Sequence, residues 1–167
     1  MADTNIPAET LQYLAETVTV PLFVDPVSTA KAEKLRPILS HIHTLKPNRL
    51  EAELLSGVQI TNRADMEKAA DALIAMGVHR MFISLGADGV FAAMGAQKLW
   101  LPNIPGRMAN TTGCGDAFMA ALVWAYLEGS DLETTAKAGL AAGSIALESP
   151  ETINPKMSVL ALKTRMA

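Results

Sequence analysis

The stretch NTTGCGDAF, residues 110–118, sets two glycines, the chain's one cysteine and an aspartate at the start of a segment with helical patterning. Gly113 and Gly115 permit positive φ and leave backbone N–H groups unhindered. A helix that begins there turns the positive end of its dipole toward them, which makes the stretch a candidate anion site. With Asp116 next to the second glycine, the arrangement suits phosphoryl transfer: amides stabilise charge on a phosphate while the carboxylate accepts a proton from an attacking hydroxyl. A plainer alternative makes Asp116 a first-turn acid that favours the helix dipole, worth about 0.3–1 kcal/mol, with the glycines serving only to turn the chain. The thiol of Cys114 at a helix start could have a lowered pKa and act as a nucleophile. No histidine lies near it in sequence, and a small residue packed against phosphate explains it equally well.

Two other turns carry suitable groups. KPNRLEAE places Asn48 and Glu51 at i and i+3, on one face of a first helical turn. There they could hold waters around Mg²⁺, a cation that prefers oxygen and keeps much of its hydration shell. Equally, they form a capping box, with Asn48 as N-cap and Glu51 as its partner. In SLGADG, Gly86 and Gly89 flank a strand end where the backbone could approach a nucleotide closely, although glycine turns between strands are ordinary. His41, His43 and His79 have no metal-ligand spacing and read as structural.

The elements that must position these groups follow from periodicity and punctuation. VPLFVDPV (20–27) reads as a strand buried on both faces. A helix follows from Ser28 or Thr29, with a stripe of Ala32, Leu35, Ile38 and Leu39 and an irregularity at Pro37. HTLKP (43–47) is a second, weaker strand, and a short helix runs from the Asn48 cap to a Gly57 stop. Residues 62–77 repeat that grammar: Asn62 caps, Met66, Ala69, Leu73 and Met76 face inward, and Gly77 stops the helix. HRMFISLG is a buried strand, and GVFAAMG with QKLWLPN reads as a hairpin turning near Gly95. Helices over 114–128 and 131–148 are parted by EGSD, with Gly129 as stop and Ser130 or Asp131 as cap. The C-terminal stretch is a loop with two prolines and a final helix. Strands alternating with helices predict an α/β layered sheet with mainly parallel strands, whose binding sites lie beyond the strands' carboxyl ends. The turns that fall there are Asp25-Pro26, Lys46 to Glu51, Ser84 to Gly89, and Thr111 to Asp116.

A length of 167 residues, half of them hydrophobic, suffices for one domain with a real core, and no repeat, linker or low-complexity segment divides 1–167. A net charge of −3 supplies no basic field for nucleic acid or an anionic membrane, which leaves small molecules as partners. The single cysteine excludes an intramolecular disulfide framework and fits a reducing compartment, the cytoplasm. The first residues lack the basic and apolar regions of a leader, and no apolar run is long enough to span a bilayer, so the chain reads as soluble.

Taken in order, DPV, KPNRLEAELLSG, SLGADGV and NTTGCGDAF, followed by an Ala-rich helix, resemble the C-terminal half of the ribokinase-like, PfkB-type sugar and nucleoside kinases. The last two match that family's signature closely, and HTLKPNRLEAE and TINPKMS are most similar to the pseudouridine kinases within it. The resemblance implies a ribokinase-like sheet flanked by helices, lacking the N-terminal half and lid. It also implies transfer of the ATP γ-phosphate to a hydroxyl of a sugar or nucleoside, pseudouridine favoured. Carried over by motif, Asp116 is the catalytic base, and Gly113, Cys114 and Gly115 form the anion hole. Asn48 and Glu51 match the N-x-x-E element that organises Mg²⁺ and phosphate, and Ser84, Gly86 and Gly89 match the nucleotide loop. Asn110 replaces the more usual Asp at a place where many relatives bind a monovalent cation such as K⁺ through nearby backbone oxygens, here those of Asn110 and Thr112. Family members are considerably longer, so the chain is expected to be a fragment carrying the ATP side and the base. Its missing half-sheet would expose a strand edge and favour a homo-oligomer. The alternative is a non-catalytic nucleotide- or anion-binding α/β module. An NAD-binding Rossmann domain is disfavoured, because no G-x-G-x-x-G follows the first strand.

Overall fold

The computed structural model describes residues 1–167. They gather into two compact units, one of residues 1–85 with 91–99 and one of residues 86–90 with 100–167.

The first unit holds all but Val90, Trp100 and Leu101 of a sheet in which strand order follows chain order: β1 (Ala2–Asp3), β2 (Leu22–Asp25), β3 (Ile42–Leu45), β4 (Arg80–Ser84), β5 (Val90–Met94) and β6 (Gln97–Leu101). The first four strands are parallel, with Ala2 opposite Val24, Phe23 opposite Thr44, and Thr44 opposite Arg80. Leu22, Phe23 and Val24 in β2 and Met81, Phe82 and Ile83 in β4 are all buried, the near-continuous apolar runs of strands covered on both faces. Only Gly95 and Ala96 part β5 from β6, and a connection so short can join only antiparallel strands, so the expected hairpin is present.

Helices α1 (Ala8–Thr17), α2 (Thr29–Ala32), α3 (Arg49–Ser56) and α4 (Arg63–Ala75) carry the chain between parallel strands. The helix expected after β2 is a single α-turn continued by a 3₁₀ segment, Glu33–His41, with Pro37 inside it. Proline offers no N–H to an i−4 carbonyl and its ring crowds that turn, so the chain tightens while still burying Leu35, Ile38 and Leu39. α3 matches its expectation in full: Asn48 and Glu51 form the capping box, and Gly57 closes the helix in the left-handed region. In α4, Asn62 caps and Met66, Ala69 and Leu73 are buried, but Met76 is 43% exposed. The helix ends at Ala75, so the stripe no longer constrains Met76.

The second unit is helical, with α5 (Cys114–Leu127), α6 (Leu132–Leu147) and α7 (Val159–Met166). Ala121 and Ala125 of α5, Ala138, Ala141 and Ala142 of α6, and Leu162 of α7 form its core. Small side chains let these helices approach closely. Gly139 is the extreme case, since a Cβ there would lie 2.4 Å from the Phe118 ring. Asp131 caps α6 and Ser158 caps α7, each accepting a backbone N–H three residues on. No helix is long and apolar enough to cross a membrane.

Candidate active site

In the first unit, chemistry collects at the carboxyl ends of β2, β3 and β4. Asp25 ends β2, and its Oδ2 lies 2.9 Å from Nζ of Lys46, the residue after β3, with both side chains largely buried. The other carboxylate oxygen, Oδ1, accepts the Val27 N–H at 2.9 Å. Val27 has φ 65°, the one non-glycine residue in the left-handed region. For a β-branched side chain this conformation is strained, and such strain concentrates where a group must be held in place. Pro26 holds the turn from both sides: its carbonyl accepts the Ser28 N–H and the Thr4 hydroxyl. Past β3, the ladder continues through the Ser84 N–H to the Pro47 carbonyl, 2.9 Å, and a bridge between Asn48 and Ser84. Asn48, Glu51, Ser84, Asp25 and Lys46 are therefore all held at this edge. Sequence reasoning singled out the first three and passed over the ion pair. The available signal was an acid and a base each closing one of two consecutive strand-like runs, which parallel pairing places side by side.

The Asn48–Glu51 capping box is fully made: Glu51 Oε2 accepts the Asn48 N–H at 2.8 Å, and Asn48 Oδ1 accepts the Glu51 N–H at 3.0 Å. Both earlier alternatives are compatible with it, because a capping carboxylate keeps a second oxygen. Glu51 is only 2% exposed. Burial, above all, raises its pKa from the usual 4.5, and the Asp25 charge adds to the rise, while the Asn48 hydrogen bonds and Lys46 oppose it. A folded-state value above the unfolded one means that the folded chain holds this proton more tightly. The buried carboxylate therefore costs stability as the pH climbs through that range and at every pH above it. Glu51→Gln keeps an acceptor for the Asn48 N–H and removes the charge. Its melting temperature should equal or exceed that of the unaltered chain above neutral pH, with the difference shrinking as pH falls toward 4.5. Calorimetry across that range checks it; a variant less stable at high pH than at low pH, relative to the unaltered chain, contradicts it.

In the second unit, α5 starts differently from α3, α4, α6 and α7. Those helices have a side-chain cap. The N-cap of α5 is Gly113, with φ 86° and no side-chain hydrogen bond. The Cys114 N–H turns back to the Thr111 carbonyl at 3.3 Å. The amides of Gly115 and Asp116 follow in the first turn, ahead of any intrahelical acceptor, and both residues are exposed. One expectation needs correction. Gly115 does not take a positive φ: it lies inside α5, and Gly113 alone supplies the left-handed turn. The value of Gly115 is its missing side chain, which leaves the first-turn N–H groups open.

Burial raises the Cys114 thiol pKa, outweighing its own backbone hydrogen bond, so this cysteine is not an activated nucleophile. Of the two glycines in the 86–89 turn, Gly89 is required by packing, because a Cβ there would fall 2.0 Å from the Leu101 carbonyl oxygen. Gly86, φ 60°, has nothing within 4 Å of a Cβ and leaves its backbone approachable. His43 and His79 stack at 4.7 Å, and burial, Arg80 and His79 bring the His43 pKa down to about 4, a packed neutral imidazole as expected. No group of three or more His, Cys, Asp or Glu side chains is arranged to hold a metal ion.

Residues 5–158 match the pfkB family of carbohydrate kinases, a span that contains Asp25, Lys46, Asn48, Glu51, Ser84, Gly86, Gly89 and the whole turn from Asn110 to Asp116. The chain belongs to the pfkB family. It is 39% identical over 161 residues to pseudouridine kinase of Escherichia coli (strain K12), covering 95% of this chain and 51% of that protein. A putative sugar kinase from Clostridium perfringens superposes with a TM-score of 0.93 at 32% identity, covering 99% of this chain and 52% of that one. Phosphofructokinase-2 from Escherichia coli, solved in complex with potassium, superposes at 0.82 with 25% identity over 96% of this chain and 52% of that one. This pfkB-family chain thus spans about half the length of the relatives it matches. Its architecture is the ribokinase-like α/β fold that the resemblance implied.

Proposed function

We propose that this chain carries the nucleotide side and the base of a kinase that moves the γ-phosphate of ATP to a hydroxyl of a nucleoside, with pseudouridine the first candidate acceptor. One observation carries the reading: the first turn of α5 has no side-chain cap, is exposed, and holds Asp116 beside its open amides. In the proposed reaction the acceptor hydroxyl gives its proton to the Asp116 carboxylate as its oxygen bonds to the γ-phosphorus. The bond from that phosphorus to the bridging β-phosphate oxygen breaks, and ADP leaves. The Gly115 and Asp116 amides and the helix dipole stabilise charge on the transferring group, where positioning and electrostatics carry most of the catalysis.

Mg²⁺ bound with the nucleotide would neutralise phosphate charge and orient the phosphates. Donors at the β2–β3 edge would fit it through water: the carboxylates of Asp25 and Glu51 and the Oδ1 of Asn48 supply oxygen, and Mg²⁺ is commonly held by one or two carboxylates plus phosphate oxygens. Pseudouridine enters the proposal through the 39% identity to a pseudouridine kinase. Self-association belongs to the same proposal, since β1 forms an outer edge of the sheet, as does a cytoplasmic setting.

The test has two arms. Mg-ATP should raise the melting temperature in a concentration-dependent way, and mass spectrometry of nucleosides and sugars incubated with the chain and Mg-ATP should show a phosphorylated product, pseudouridine before the others. Absence of both overturns the proposal. Stabilisation without any product in the panel supports the second reading, a nucleotide-binding module.

A further inference from the structure

A structural relative has been solved with potassium, and in this chain the turn before α5 is closed by a side-chain amide. The Asn110 side chain lies across it: Oδ1 accepts the Thr112 N–H at 3.0 Å, and Nδ2 donates to the Pro150 carbonyl at 3.1 Å. This pair of partners fixes the amide's orientation, because an N–H must face its oxygen and a carbonyl must face its NH₂ group. The same two segments are tied twice more, by the Ala109 and Asn110 N–H groups to the Leu147 carbonyl at 2.9 and 3.3 Å. They also press together at Gly113, where a Cβ would sit 2.2 Å from the Thr152 carbonyl oxygen.

An alkali cation requires oxygen lone pairs, and at this place it meets an N–H donor already aimed at the Pro150 oxygen. The nearby acids do not compensate. Glu148 is held by both Nη atoms of Arg165, at 3.0 and 2.9 Å, which keeps its carboxyl below the usual range, and Glu151 is exposed. Residue 110 itself is neutral. An aspartate there would face the Pro150 carbonyl with a second oxygen in place of the NH₂, and two unprotonated oxygens at that distance repel unless a cation lies between them.

We infer that the Asn110 amide performs with two hydrogen bonds the bridging that a monovalent cation performs between oxygens, so that this chain's phosphate-binding turn is ordered without K⁺. The inference deepens the proposed reading of that turn, but its principal test needs no nucleotide. The unaltered chain, Asn110→Asp and Asn110→Ala are melted in KCl and in tetramethylammonium chloride, whose cation is too large for such a site, at matched ionic strength.

The unaltered chain should melt within about 1 °C in the two salts. Asn110→Asp should melt lower in tetramethylammonium and recover by about 2–4 °C or more in KCl. Asn110→Ala should lose stability equally in both. A melting point of the unaltered chain that rises in KCl, an Asp variant indifferent to the salt, or an Ala variant rescued by KCl overturns the inference. Should the Ala variant fail to fold, the other two proteins still decide the matter. Calorimetric titration with Mg-ADP in the two salts adds an independent arm, with equal affinity expected to within about twofold. A chain that binds no nucleotide in either salt would defeat the proposed function while leaving the melting comparison to judge the amide bridge.

Discussion

Asp116→Asn should lower phosphoryl transfer by about 10²–10⁴-fold while changing Mg-ATP affinity by no more than about twofold. The contrast follows from where the residue lies. Asp116 is exposed in the first turn of α5, and its backbone N–H, which the substitution retains, belongs to the proposed anion-binding set. Only the side chain's ability to take a proton is removed. Asparagine preserves the size and a carbonyl oxygen, so the helix start keeps its shape and loses just the modest dipole benefit of a first-turn acid, about 0.3–1 kcal/mol. Turnover and nucleotide binding measured on the same protein separate the two roles that the sequence left open. A first-turn acid with no chemistry to do would lower the melting temperature slightly and leave turnover intact. If instead affinity and turnover fell together, Asp116 would be a nucleotide contact and not the base.

How much of this was legible in the sequence depends on the range of the interaction. Local rules sufficed for the α3 start, because a capping box is complete within the four residues Asn48 to Glu51. They narrowed the α6 cap to Ser130 or Asp131, of which Asp131 serves, and they sufficed for the hairpin around Gly95. They fell short where a second segment decides the outcome. The Asp25–Lys46 pair joins the last residue of β2 to the residue after β3, and it exists because β2 and β3 lie parallel in the observed register. Pro37 announced an irregularity, but its form, a 3₁₀ run that still buries Leu35, Ile38 and Leu39, depends on what those side chains pack against. β1 has two residues, below the length at which any period can register, and α1 shows a core stripe of only Leu11 and Ala15. Gly113 and Gly115 look alike in the sequence. Their separate duties emerge only with the backbone, where one turns the chain and the other keeps a helix start uncovered.

That division can be measured. Gly113→Val should destabilise the second unit severely, by more than about 4 kcal/mol, which corresponds to a melting temperature lower by about 10 °C or more. Two costs combine. At φ 86° a β-branched residue is strained by about 1–3 kcal/mol on its own. The Cβ would also fall 2.2 Å from the Thr152 carbonyl oxygen, a backbone atom in a segment tied through Leu147 and Pro150, so relief requires moving that whole segment. Gly113→Asn tells the costs apart, since asparagine tolerates the left-handed region but brings the same Cβ; it too should be strongly destabilised. Gly115→Val should behave in the opposite way. The position is helical and exposed, so the melting temperature without ligand should stay within about 3 °C of the unaltered chain. The side chain would nevertheless crowd the open amides and abolish the stabilisation by Mg-ATP. A Gly113→Val chain of ordinary stability would show that the contact with Thr152 is not fixed. A Gly115→Val chain still stabilised by nucleotide would mean that the first turn of α5 is not where phosphate binds.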